Sequence, residues 1–118
     1  MLTEYGKFLK KLRIDNGELL KDMAQKLDVT VSYLSAVENG KREVPTKWLN
    51  IIKDEYDLGD KQYDDMKKAA YQSKKTISFD LSQKDAVDRN LALSFAREFH
   101  DLTTEEKADI MNILKRSR

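Results

Sequence analysis

Residues 23–42 decide the fold, and they read MAQKLDVTVSYLSAVENGKR. Two short helical patterns meet here across a turn of about three residues, and Leu27 ends the first of them. Thr30 can cap the N-terminus of the second helix, and the Asn-Gly pair at 39–40 is a typical stop for it. Ala24 has the small side chain that two closely approaching helices need. The stretch therefore predicts a helix-turn-helix.

The second helix of this pair has an outer face of short polar and small apolar side chains. We assign to that face Thr30, Val31, Ser32, Ser35, Ala36 and Asn39. Such a face fits the major groove, which is about 12 Å wide, and its hydroxyl groups can hydrogen-bond base edges. Lys41 and Arg42 follow at the place where phosphates would lie. Tyr33 has two interpretations, a stack on sugar or base and a half-buried packing role.

Helical periodicity continues on both sides of this stretch. It predicts one helix before the pair, at residues 3–16, and one directly after it, with Pro45 in its first turn. A further helix is predicted from the cap Asp60 to about residue 71, and another at 84–100 after the cap Ser82. The last predicted helix follows a capping box of Thr103 and Glu106. Residues 76–81 alternate instead, with Ile77 and Phe79 on the same side, which predicts a short strand or an extended linker. The chain is thus predicted to be mostly α.

At these residues the chain resembles the XRE/Cro family of phage-repressor-like helix-turn-helix regulators. The resemblance covers roughly residues 8–56 and rests on Leu12-Arg13, Met23-Ala24, Leu27, Val29-Thr30, Leu34-Ser35, Val37-Glu38-Asn39-Gly40-Lys41 and Pro45, all at the family's spacing. It implies a five-helix, lambda-repressor-like DNA-binding domain and, usually, a dimer on a palindromic operator. We place this domain at residues 1–73, followed by residues 74–118 as a strand or linker plus a C-terminal helical hairpin that serves dimerisation.

The resemblance also implies roles for individual residues. Arg13 and Glu38 match a buried ion pair that ties the first helix to the end of the recognition helix, and a bidentate guanidinium–carboxylate pair suits that role. The positions that contact bases in the family correspond to Val31, Ser32, Ser35 and Ala36. The positions that contact phosphate correspond to Thr30, Asn39, Lys41 and Arg42.

Two positions depart from the family's pattern. Leu20 stands where the family commonly has a glutamine that bonds phosphate, and an apolar side chain cannot replace it. Asp28 stands where the turn commonly has glycine, and aspartate adopts the left-handed conformation less easily. Its negative charge would also lie near phosphate.

The C-terminal segment carries more apolar surface than one exposed helical hairpin tolerates. Its stripe consists of Val87, Leu91, Phe95, Phe99, Leu102, Ile110, Ile113 and Leu114. The stripe has to pack on the domain, on a second copy or on another protein. We favour a homodimer, because one helix-turn-helix makes too few contacts to select a single site in a genome. Ile77 and Phe79 could join that interface if the alternating segment pairs across it.

Composition excludes several other classes of protein. The chain has no cysteine, so it has no disulfide, thiolate zinc site or thiol nucleophile. His100 is the only histidine, and no partner residue suggests a metal site. There is no phosphate-binding glycine loop and no acid–base carboxylate pair. We expect no enzyme activity and no cofactor, and the lack of an apolar span or signal peptide predicts a cytoplasmic protein that does not contact membranes.

Charge is the observation that counts against DNA binding. The formal net charge is +1, and residues 1–57 hold ten basic and ten acidic residues, whereas nucleic-acid binders usually have a basic excess.

Three functions remain open. The first is a repressor that occludes a promoter on double-stranded DNA. The second is an antitoxin-like or adaptor protein whose C-terminal helices bind a partner protein while the N-terminal domain autoregulates. The third is an interaction module that keeps only the fold.

Overall fold

The structure is a computed structural model, and it describes residues 1–116. Within those residues it contains seven α-helices: α1 (Glu4–Asp15), α2 (Leu20–Lys26), α3 (Val31–Glu38), α4 (Lys47–Glu55), α5 (Asp60–Gln72), α6 (Ala86–Glu98) and α7 (Thr104–Lys115). A 3-10 helix, Phe99–Asp101, follows α6. The chain divides into two units, Met1–Ile77 with α1 to α5 and a second unit that begins at Ser78 with α6 and α7. The prediction of a mostly helical chain is confirmed.

Of the two alternatives predicted for residues 76–81, a short strand or an extended linker, the strand is wrong. These residues have no regular secondary structure, and no strand occurs anywhere in residues 1–116. A strand needs a neighbour whose backbone groups complete its hydrogen bonds, and the helical sequence on either side offers none. Ile77 and Phe79 therefore lie exposed on an irregular segment.

Threonine side chains begin the two helices that matter most for the site. Thr3 Oγ1 accepts a hydrogen bond from Gly6 N, and Thr30 Oγ1 accepts one from Tyr33 N, both at 3.0 Å. These bonds satisfy amide groups that the first turn of a helix leaves without a partner inside the helix. α1 and α3 consequently start where the sequence predicted.

Other helix starts differ from the prediction. Asp85, and not Ser82, caps α6. The Ser82 hydroxyl and amide both donate to Asp80 Oδ1, at 2.7 and 3.0 Å, so that hydroxyl is engaged in a local turn. Asp60 is the first residue of α5 and does not cap it. Pro45 precedes the start of α4 and is not part of its first turn.

The first four helices end in the same way. The residue after each C-cap has a positive φ, and these residues are Gly17 (65°), Asp28 (56°), Gly40 (75°) and Asp57 (49°). The amide that follows returns to the carbonyl five residues earlier, as Lys41 N does to Ala36 O at 2.9 Å. This is the Schellman arrangement, in which glycine carries no steric cost. Aspartate is strained there, by about 1 kcal/mol.

All five helices of the first unit contribute to its core. The largest fully buried side chains are Trp48, Tyr5, Leu9, Met23, Leu34, Ile52, Met66 and Val37. Leu34 and Val37 lie on the inner face of α3, so the opposite face of that helix points outward. In the second unit, by contrast, no residue of α6 or α7 is buried. The core therefore positions α3 and leaves the C-terminal apolar stripe uncovered.

Candidate nucleic-acid interface

An ion pair joins α1 to the C-terminal end of α3. Arg13 Nη1 lies 2.5 Å from Glu38 Oε2, and Arg13 Nη2 lies 3.1 Å from Glu38 Oε1. Both residues are buried, with 8% and 2% of their surface exposed, and Arg13 Nη1 also lies 3.3 Å from Met23 Sδ. The pair implied by the family resemblance is therefore present in the structure. It ties the two helices together in a setting where an unpaired charge would be costly.

The first turn of α1 also holds the backbone at the end of α3. Thr3 donates twice to the carbonyl oxygen of Glu38, from its amide at 2.9 Å and from its hydroxyl at 3.1 Å. Gly6 makes this approach possible, since a Cβ there would overlap that oxygen and lie 3.0 Å from the carbonyl carbon. Neither role was predicted from the sequence. The available signal was a glycine inside a helix, which is destabilising unless close packing requires it.

Tyr5 is the buried titratable group closest to this junction along α1. Its hydroxyl has no hydrogen-bond partner among residues 1–116. Burial raises the pKa of the phenol well above its ordinary value, and the negative charge of Glu38 raises that pKa further. Tyr5 therefore acts as a neutral core residue, and its hydroxyl is a cost to the fold.

The outer face of α3 is most open at its N-terminal end. Thr30 and Ser32 are exposed, and Val31 is 43% exposed. Ser35 and Ala36, one turn later, are half-buried. An α-helix that enters a groove by its N-terminal end presents this part to base edges. The structure therefore brings the predicted base-contacting residues onto one face, with the first of them the most accessible.

Asn39 turns back onto α3. Its Nδ2 donates to the Ser35 carbonyl oxygen at 2.9 Å and lies 3.5 Å from Ser35 Oγ. The side chain thus closes the last turn of the helix, and it would have to give up these bonds to reach a phosphate. Its backbone remains next to the exposed residues Lys41 and Arg42.

Tyr33 packs against the core from the side of α3. Its ring meets the ring of Trp48 edge-on, with centroids 5.8 Å apart and planes at 83°. The guanidinium of Arg42 lies over the same ring at 6.0 Å. Of the two interpretations given from sequence, the geometry favours half-buried packing, and it adds that Tyr33 supports Arg42.

Comparison with protein families matches residues 9–47 to the helix-turn-helix family. This match supports an XRE/Cro-like helix-turn-helix in that stretch. In the same comparisons, neither a curated protein nor a solved structure matched the chain. The family match supports a DNA-binding transcription regulator, and it covers α2, α3 and the part of α1 that carries Arg13.

The two departures from the XRE pattern take clear positions in the structure. Leu20 is the first residue of α2 and packs half-buried against the core. Its side chain therefore contributes to the fold and offers phosphate no hydrogen bond. Asp28 is exposed in the turn between α2 and α3, in the left-handed conformation. This helix-turn-helix thus has a strained, negatively charged turn directly before the exposed face of α3.

Basic side chains gather in a cleft beside the end of the recognition helix. Lys41 and Arg42 line it from the loop after α3, and Lys74 and Lys75 line it from the segment after α5. Glu43 lies in the same cleft. Only Lys41 and Arg42 were predicted from the sequence, because the two pairs are far apart along the chain. The available signal was the run of residues 66–79, which holds four lysines and no carboxylate.

The residues predicted to form a dimer interface are not covered within one chain. Seven of them are exposed, from 43% for Phe95 to 75% for Val87; these are Ile77, Phe79, Val87, Leu91, Phe95, Phe99 and Leu114. Ile110 is half-buried. Phe95 and Phe99 contact one another, with ring centroids 5.5 Å apart.

The part of the chain that the structure describes has neither a metal-binding cluster nor a membrane-spanning helix. In residues 1–116, no group of three or more histidine, cysteine, aspartate or glutamate side chains is arranged to hold a metal ion. None of the helices in that part of the chain has the length and apolar character needed to cross a membrane.

Proposed function

We propose that this protein is a sequence-specific transcriptional repressor that binds a palindromic operator as a homodimer. The observation that carries the proposal is the exposed N-terminal face of α3 on a helix whose other end is fixed by Arg13 and Thr3. A rigid helix is needed to place side chains against base edges with useful precision. Repression would follow from occupation of a promoter, without a catalytic step.

Residues of α3 and its loop have separate roles in this proposal. Val31, Ser32, Ser35 and Ala36 read bases, and Tyr33 supports them from the side. Thr30, Lys41 and Arg42 contact phosphates, and Asn39 joins them by exchanging its side-chain bonds to Ser35; these contacts set affinity and register without selecting sequence.

Dimerisation is the second part of the proposal. The second unit begins at Ser78 and has no buried residue in α6 or α7, so its apolar stripe needs a cover. A second copy of the same stripe supplies one, and it would double the DNA contacts of residues 1–73. Residues 74–118 would then be the dimerisation segment.

Selection of bound DNA from a random pool tests the function. We expect recovery of two inverted half-sites about 34–36 Å apart, or a multiple of that distance. Failure to enrich any sequence from the pool would overturn the proposal. The separation of roles is tested with Ser32→Ala and Lys41→Ala on the recovered operator and on random duplex. Ser32→Ala should change base preference by about 1–3 kcal/mol, and Lys41→Ala should weaken binding to both DNAs by the same factor.

Sedimentation of Phe95→Asp tests the dimer. Phe95 belongs to the exposed stripe, and a buried unpaired carboxylate would disrupt the paired interface. We expect the variant to be monomeric, whereas Ser94→Asp, at an exposed polar position of α6, should stay dimeric. A dimeric Phe95→Asp would place the interface elsewhere.

The same uncovered stripe also favours a second candidate function. An antitoxin-like or adaptor protein would use α6 and α7 to bind a different protein, while residues 1–73 regulate its own gene. A wild-type chain that sediments as a monomer, yet binds a single half-site, would favour this candidate over the homodimeric repressor.

A further inference from the structure

The basic cleft beside α3 combines residues from two distant parts of the chain. Four cations line it, Lys41, Arg42, Lys74 and Lys75, together with the carboxylate Glu43. At the level of the whole chain the net charge is only +1. Positive charge is therefore concentrated at this cleft, which is the local clustering that a neutral DNA-binding domain needs.

None of the four cations is neutralised by an ion pair in residues 1–116. Other lysines of the first unit do have carboxylate partners, for example Lys11 with Asp15 at 3.0 Å and Lys26 with Glu18 at 2.6 Å. Lys74 instead lies over the ring of Tyr71, with its Nζ 5.0 Å from the ring centroid. Such unpaired cationic groups are available to neutralise phosphates, and each neutralised phosphate releases counterions condensed on the DNA.

Hydrogen bonds fix the end of α5 next to the end of α3. The amide of Tyr5 donates to Ser73 Oγ at 3.1 Å, and that hydroxyl donates to the Ala69 carbonyl at 2.8 Å. The same turn of α1 binds Glu38 through Thr3. One turn of α1 therefore connects both helix ends, and Lys74 follows directly on Ser73. The lysine pair consequently has a defined place relative to α3.

We infer that Lys74 and Lys75 contact the phosphate backbone of the same DNA that α3 reads, beside the phosphates bound by Lys41 and Arg42. The inference rests on the proposed function and extends its interface to the segment that leaves the first unit. Contacts of this kind add affinity and salt dependence without sequence preference.

The test compares two double variants that lose the same charge. Lys74→Gln with Lys75→Gln removes the pair in the cleft, and Lys61→Gln with Lys68→Gln removes two exposed lysines of α5 that do not line it. Fluorescence anisotropy with the selected operator and with a random-sequence duplex gives the dissociation constant at several KCl concentrations. Between 50 and 200 mM salt, each lost phosphate contact should reduce the fall in affinity by roughly a factor of three to four.

We therefore expect wild-type affinity to fall about tenfold more over that salt range than the affinity of the cleft variant. The two DNAs should lose the same factor, and the control variant should keep the wild-type slope. Lys74→Arg with Lys75→Arg, which keeps both charges, should also keep that slope. A slope that is normal in the cleft variant while Lys41→Ala reduces it would overturn the inference and leave the proposed function intact.

Two further outcomes separate the remaining explanations. Absence of DNA binding by the wild-type chain would overturn the proposed function itself. Lysines after a helix can also act only by complementing the helix dipole. In that case the cleft variant would melt at a lower temperature and bind DNA with the wild-type salt slope, a result that counts against the inference.

Discussion

Replacing Gly6 by alanine would insert a methyl group between α1 and the end of α3. The new Cβ would overlap the Glu38 carbonyl oxygen and lie 3.0 Å from the carbonyl carbon and 3.1 Å from the Cα. Carbon atoms at their preferred separation are about 3.5–4.0 Å apart. The atoms in the way belong to backbone, which cannot rotate aside as a flexible side chain can. The two helices would have to separate.

The expected cost comes from two sources. Overpacking costs about 1–3 kcal/mol. Separation would also weaken the two hydrogen bonds that Thr3 donates to Glu38 O, each of which contributes about 0.5–1.5 kcal/mol. Against this, alanine is better than glycine inside a helix by about 1 kcal/mol. On balance, the free energy of unfolding should fall by about 2 kcal/mol. For a domain of this size, that lowers the melting temperature by about 8–16 °C.

Thermal unfolding followed by circular dichroism measures this effect, and Gly59→Ala is the matched control. A Cβ at Gly59 would meet nothing within 4 Å, and its φ of −72° suits any residue. Only the small preference for glycine over alanine at an N-cap would be lost, at about 0.5 kcal/mol. The sign of the change in melting temperature decides the test, because helix propensity alone predicts that Gly6→Ala is stabilising. A variant that melts at or above the wild-type temperature would refute the close approach of α1 to α3.

Three more predictions concern the turn, the core tyrosine and the ion pair. Asp28→Gly should stabilise the chain by about 1 kcal/mol and tighten DNA binding, because it removes both left-handed strain and a charge near phosphate. The control Asp57→Gly should raise stability in the same way and leave the affinity for DNA unchanged. Equal gains in affinity from the two variants would contradict the placement of Asp28. Tyr5→Phe should leave the melting temperature at neutral pH unchanged or higher, since the buried hydroxyl lacks a partner within residues 1–116. The pKa of Tyr5 is raised in the folded chain, so the stability linked to its neutral form is complete below the unfolded pKa of about 10 and is lost as pH rises from there through the folded pKa. The Tyr5→Phe variant should therefore lose less free energy of unfolding at alkaline pH than the wild type. An identical pH profile for the two proteins would argue against the buried phenol. Arg13→Met should lower the free energy of unfolding by about 3–5 kcal/mol, because it leaves Glu38 buried and unpaired. Arg13→Met combined with Glu38→Leu should recover most of that loss in urea titration. Additive losses in the double variant would contradict the pairing.

The helix-turn-helix was predictable because several local signals agree. The cap at Thr30, the stop at Gly40 and the inward side chains Leu34 and Val37 all belong to one short stretch. Local agreement of this kind is the condition under which sequence specifies structure. Arg13 and Glu38 required the family resemblance, since nothing local connects residues so far apart in the chain.

Errors arose where a choice depends on distant backbone or on competing local bonds. Ser82 and Asp85 are both good capping residues, and the turn made by Asp80 decides between them. The alternation at residues 76–81 resembles a strand, but periodicity cannot reveal whether a second strand exists to pair with it. Lys74 joins the basic cleft only because α5 returns to α1, which no local pattern of charges predicts.

The contact between Tyr33 and Trp48 makes the position of α3 measurable by intrinsic fluorescence. Trp48 is the only tryptophan in the chain, and it is fully buried. Tyr33, on α3, lies close enough for excitation energy to pass to the indole, with ring centroids 5.8 Å apart. The part of the indole emission that is excited through Tyr33 therefore depends on the placement of α3 against α4. A movement of that helix as DNA binds would change this emission, so the unlabelled protein can report on its own docking in real time.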